Sequence, residues 1–76
     1  MGGKLPRVTA RELIKVLDGL GFVCKPLTGT SHRRFTHSDG RRTTLPVHQA
    51  DTIGPGLLRK ILRDINLSPE EFAAKL

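Results

Sequence analysis

Ser38-Asp39-Gly40-Arg41 separates two short runs, residues 32–37 and 42–47, and this is the feature that most narrows the fold. Asp-Gly is a dipeptide that tight hairpin turns favour, because such turns need positive φ and glycine adopts it without a steric penalty. The two runs are therefore expected to pair as antiparallel strands in the middle of the chain, and everything else must be arranged around that hairpin. Strand side chains alternate between faces. Phe35, Leu45 and Val47 then fall on one side, and His32, Arg34, Thr36, Arg42 and Thr44 on the other. The expected sheet has an apolar inner face and a basic, polar outer one.

The flanking segments carry helix signals. Thr9 and Glu12 form a T-x-x-E capping box, and Leu13, Ile14, Leu17 and Leu20 follow at one-face helical spacing. Gly21 stands where a helix end needs a left-handed residue, so the spacing predicts a helix over residues 10–20. Residues 22–26 read as a further strand. Pro55 suits the first turn of a second helix, whose stripe is Leu57, Leu58, Ile61, Leu62 and Ile65. Ser68, Pro69 and Glu71 then open a short terminal helix carrying Phe72 and Leu76. The order is α-β-β-β-α plus a short C-terminal helix. It predicts an α+β fold in which helices pack on one face of a three-stranded antiparallel sheet. The 76 residues are expected to make one domain with room for one core and one site.

Thirteen Lys and Arg against seven Asp and Glu give a formal charge of +6. Such a field attracts phosphate backbones or acidic protein surfaces. It is also a charge that simply keeps a small protein soluble, but here the cations cluster. The single Cys24 excludes an internal disulfide framework, suits a reducing cytoplasm, and reads as a small core residue. The opening residues lack the apolar run of a signal peptide, and no apolar segment approaches membrane-spanning length, so the expectation is a cytoplasmic protein.

All three histidines, His32, His37 and His48, lie within the hairpin region. His32 begins a strand beside Arg33 and Arg34. Its side chain can exchange a proton near neutrality while the arginines hold a phosphate next to it. Exposed histidines on basic sheets are also commonly just tolerated surface residues, and spacing alone does not separate the two readings. Zinc is poorly supported: His32 and His37 are the only pair at ligand spacing, and residues five apart on a strand point to opposite faces. His37 reads as flanking the turn, and His48 as a loop residue after the third strand. No phosphate-cradling glycine loop occurs. With no Trp or Tyr and only three Phe, which the core needs, base stacking of the single-strand-binding kind is not provided for.

The helix end "LDGLGF", the hairpin "GTSHRRFTHSDGRRTTLPVH" and the C-terminal "GPGLLRKILRDINLSPEEF" together resemble the HicA family of small bacterial toxins. The Ser-His, the D-G-R turn, the P-V-H strand end and the leucine helix occur in the family's order and spacing. The resemblance implies a fold like that of double-stranded-RNA-binding domains. It also implies cleavage of messenger RNA without a metal or other cofactor, and neutralisation by a HicB-like antitoxin. The family's catalytic histidine follows a small-residue turn and carries over onto His32. Thr30 stands where the family more often has glycine, with Gly29 one position earlier. The histidine of P-V-H carries over onto His48, with no catalytic role attached. Lys25, Arg33, Arg34 and Arg42 are the candidate RNA contacts.

Two other classes fit parts of the chain. A non-catalytic double-stranded-RNA-binding module shares the element order, yet places its cations at the start of its last helix, where this chain reads "GPGLLRK" with the cations a turn later. A helix-turn-helix reading of residues 57–76 meets an acidic second helix, which opposes docking on phosphates. A pure protein-interaction module remains open, because a basic surface meets an acidic partner as readily as it meets RNA.

Overall fold

The computed structural model describes residues 5–29, 32–46 and 52–76. The elements are α1 (Ala10–Gly19), β1 (Val23–Pro26), β2 (His32–Thr36), β3 (Arg42–Pro46), α2 (Pro55–Asp64) and α3 (Pro69–Ala73). The α-β-β-β-α order and its short terminal helix are those the sequence predicts. The strands form one antiparallel sheet in the order β1-β2-β3, so β2 is central and β1 and β3 are edges.

Local chemistry explains where each helix begins and ends. The Thr9 hydroxyl accepts from the Glu12 N–H at 3.2 Å, and the Glu12 carboxylate accepts from the Thr9 N–H at 2.9 Å. Val8 before the cap and Leu13 one turn in are both buried, the positions that a hydrophobic staple uses. At the other end of α1, Gly21 has φ +94°, Phe22 N–H donates to the Leu17 carbonyl and Gly21 N–H to the Asp18 carbonyl. That is a Schellman motif, and it drops Phe22 into the core.

The same motif closes α2. Here Asn66 takes the left-handed position at φ +57°, Leu67 N–H donates to the Leu62 carbonyl and Asn66 N–H to the Arg63 carbonyl. Asparagine is among the few side chains that accept this backbone. The α3 cap repeats the reciprocal box between Ser68 and Glu71, both bonds at 3.0 Å.

The β2–β3 turn is longer than a two-residue hairpin. His37 N–H donates to the Arg41 carbonyl and Gly40 N–H to the His37 carbonyl, leaving Ser38, Asp39 and Gly40 as a three-residue loop. Gly40 has φ +99°, whereas Asp39 is not in the positive-φ region. A mirror-image turn of the Asn-Gly kind needs both central residues there, so this is a turn followed by a glycine bulge.

Val8, Leu13, Leu17, Phe22, Phe35, Leu45, Leu58, Ile61, Ile65 and Phe72 fill the interior between the helices and the inner face of the sheet. Fully burying such a side chain stabilises the fold by about 1.5–3 kcal/mol. Thr43 is the buried polar residue on that face, and its hydroxyl donates to Asp64 Oδ2 at 3.0 Å. Cys24 departs from expectation. It is exposed, because β1 is an edge strand whose four residues all remain accessible, although Cys24 has the inner-face parity of its partner Phe35. Val47, expected on the inner face, lies outside the described residues.

Candidate functional site

The register decides which side chains share the outer face. His32 sits opposite Pro46, Arg34 lies between Lys25 and Thr44, and Thr36 between Val23 and Arg42. His32, Lys25, Arg34 and Arg42 are all exposed. The three strands contain four Lys or Arg residues and no Asp or Glu. His32 and Arg34 are two residues apart on one face, about 6.6–6.8 Å along the strand. An imidazole therefore stands among cations, an arrangement suited to holding a phosphodiester and moving a proton beside it.

Arg33 is placed elsewhere. It pairs with Pro26 and Leu45, has the inner-face parity of Phe35, and is half-buried. The structure thus brings Lys25, Arg34 and Arg42 to the face of His32 and leaves Arg33 off it. Gly29 holds φ +76° just before β2. Thr30, Ser31 and His48 all lie outside the described residues.

The opposite end of β2 carries a second group of polar residues with a different task. Asp39 N–H donates to His37 Nδ1 at 3.1 Å, so that nitrogen accepts and Nε2 donates to the Leu20 carbonyl at 3.1 Å. His37 also packs edge-on against Phe22, with ring centroids 5.0 Å apart. Arg41 donates through Nη1 to the Ile65 carbonyl at 2.6 Å and through Nε to Asp39 Oδ2 at 2.7 Å, and its guanidinium lies 5.1 Å from the Phe22 ring centroid. Leu20 and Ile65 are the C-caps of α1 and α2. The hairpin turn therefore supplies donors to the carbonyl ends of both helices, where the helix dipole favours positive charge.

Asp39 holds this cluster together. The Arg41 backbone N–H holds its carboxyl below the usual aspartate value; desolvation opposes this, and the Arg41 guanidinium adds to the lowering. Sequence reasoning placed His37 beside the turn but assigned no task to Arg41. The last turn of α1 has no basic residue of its own, which is a negative signal for His37; the last turn of α2 carries Arg63, so nothing in the sequence signals Arg41. Among the described residues, no three His, Cys, Asp or Glu side chains converge as metal ligands would.

Helices on one face of a three-stranded antiparallel sheet, in α-β-β-β-α order, define a small α+β protein with a double-stranded-RNA-binding-domain-like fold. The family model described as HicA toxin of bacterial toxin-antitoxin matches residues 10–67, from the start of α1 to just past α2. The chain belongs to the HicA toxin family. A search of curated proteins finds no match. Membership makes the chain the toxin half of a toxin–antitoxin pair, with a cognate antitoxin as its partner. Among the described residues, no helix is long and apolar enough to cross a membrane.

Proposed function

We propose that this toxin is a metal-independent endoribonuclease acting on messenger RNA, with His32 as its catalytic residue. The observation that carries the reading is the outer face of the sheet: His32 is exposed there with Lys25, Arg34 and Arg42, on strands without a carboxylate. Family membership supports the same reading.

RNA brings its own nucleophile. The 2′-oxygen attacks the adjacent phosphorus, a 2′-O–P bond forms, the P–O5′ bond breaks, and the 2′-hydroxyl proton must leave while the 5′-oxygen gains one. His32 serves one of these transfers, as general base or as general acid, a role worth typically ~10²–10⁴-fold. Arg34 stabilises the charge that builds on the phosphoryl oxygens, and Lys25 and Arg42 hold the flanking backbone. Arg33 is not part of this contact set, because its parity turns it from His32. An antitoxin that covers this face inhibits directly, by excluding RNA from His32.

The test is cleavage of a long unstructured RNA in excess EDTA by wild type and His32→Ala, both checked for folding by circular dichroism. Cleavage by wild type alone is the expected result. Cleavage by both removes His32 from the mechanism. Binding without cleavage by either makes the chain a binding module on a nuclease-like fold.

A further inference from the structure

Beside the face of His32, the outer edge of the sheet opens into a cleft of about 390 Å³ between β3 and α2. Its walls are Arg34, Arg42 and Thr44 from the outer face, Thr43 from the inner face, and Lys60 and Asp64 from α2. Three cations and one carboxylate leave a formal +2 on six lining residues. Lys60 Nζ lies 3.0 Å from Asp64 Oδ2, the same oxygen that accepts from buried Thr43, which sets the exposed ammonium on the cleft wall. Burial raises the Asp64 carboxyl, but the hydrogen bonds from Lys60 and Thr43 outweigh it and keep the group ionised and engaged.

The backbone contributes as well. The closing bond from His37 N–H to the Arg41 carbonyl sets the ladder, so residues 43 and 45 bond toward β2. The alternation turns the N–H groups of Arg42 and Thr44 toward the edge. The cleft thus gathers two guanidinium groups, an ammonium, a hydroxyl and edge amides, which is donor chemistry suited to a phosphodiester.

We infer that this cleft holds a phosphate of the bound RNA other than the one being cut, and that Lys60 is a binding residue of the toxin. The inference rests on the nuclease reading for the identity of the ligand. Arg34 links the two sites: it lies two residues from His32 on the same face and also lines the cleft. Arg42 is the diagonal neighbour of Arg34 across the β2–β3 ladder, about 7–8 Å away. The strand of RNA runs from His32 diagonally over β3 to α2, and the remote contact adds binding energy that is equal in the ground and transition states.

The test compares wild type, Lys60→Ala and Arg59→Ala, the last a neighbouring exposed cation on α2 that does not line the cleft. Binding of a labelled, non-cleavable 2′-O-methyl oligonucleotide is followed by fluorescence anisotropy over a salt series, beside KM and kcat on cleavable RNA. Lys60→Ala is expected to weaken binding roughly tenfold, the scale of one lost charge-assisted contact. The slope of log affinity against log salt should fall by about 0.7. KM should rise with kcat retained, while Arg59→Ala behaves as wild type. Equal slopes and KM values in wild type and Lys60→Ala, with RNA still cut, overturn the cleft and leave the nuclease standing. Lys60-dependent binding by a wild type that cuts nothing overturns the nuclease and leaves the cleft. Loss of antitoxin affinity in Lys60→Ala without loss of RNA affinity assigns the cleft to the protein partner and overturns the inference.

Discussion

Two histidines bracket β2 and two arginines adjoin each other at the start of β3, yet within each pair the roles differ. His32 and Arg42 are exposed on the outer face of the sheet. His37 and Arg41 are half-buried, and both donate to the C-terminal carbonyls of helices packed beneath the turn. Residue type does not separate the members of each pair. Position does: His32 and Arg42 stand on the outer face of the sheet, whereas His37 and Arg41 flank the turn, beside the ends of α1 and α2.

The largest effect expected from breaking this contrast is on catalysis. His32→Ala should lower the cleavage rate by ~10²–10⁴-fold, the range for a lost proton-transfer group. Its unfolding free energy should stay within about 0.5 kcal/mol of wild type, as for an ordinary surface change. Rate assays and urea unfolding on one preparation decide it, and a His32→Ala protein that is both folded and active would sink the assignment.

Next in size is Arg41→Ala, which removes a charged hydrogen bond to a helix end. Denaturant unfolding should register a loss of about 1.5–3 kcal/mol, with cleavage per folded molecule unchanged. Arg42→Ala should do the reverse, sparing stability and weakening RNA binding. If the two variants behave alike, the division between neighbouring arginines is wrong.

Gly21→Ala comes third. A side chain there meets positive φ, and its Cβ would lie 3.3 Å from His37 Nε2. A cost of about 1–2 kcal/mol is expected, the scale of one left-handed non-glycine residue. An unchanged melting temperature would mean that the α1 terminus and His37 give way easily.

The smallest effect concerns acid. The Arg41 N–H holds the Asp39 carboxyl down and the Ser68 N–H does the same for Glu71; both values are depressed below the ordinary 3.8 and 4.5. A depressed folded value adds stability above the unfolded value, and that stability is lost as pH falls through the folded one. Acid unfolding should therefore steepen below about pH 4, and Asp39→Asn should flatten that limb. An acid limb identical in the variant would remove Asp39 from the clamp.

Much of the architecture is readable before folding because its causes are local. The capping box at Thr9, the left-handed Gly21 and the Ser68 box are interactions between residues at most a few positions apart. The period-two pattern of the hairpin separated Phe35 and Leu45 from His32, Arg34, Thr36, Arg42 and Thr44, and the same parity rule puts Arg33 with Phe35. Grouping Arg33 with His32 as an RNA contact followed sequence adjacency instead. Asn66 carried no comparable signal, since asparagine accepts a left-handed backbone but does not announce it as glycine does.

Other features depend on distant parts of the chain meeting. Cys24 is exposed because β1 is an edge strand, and strand order is not written in any one strand. Arg41 reaches a carbonyl 24 residues away and His37 one 17 residues away. Lys60 joins Arg34 and Arg42 only because α2 packs along β3 and Thr43 ties Asp64 to the sheet. By itself the sequence determined the elements, the caps at Thr9, Gly21 and Ser68 and which side of the hairpin is basic, since hydrogen bonds and sterics over a few residues decide these. The tertiary structure alone decided which of two histidines and two arginines are locked into the fold, because those partners become neighbours only when the helices close on the sheet.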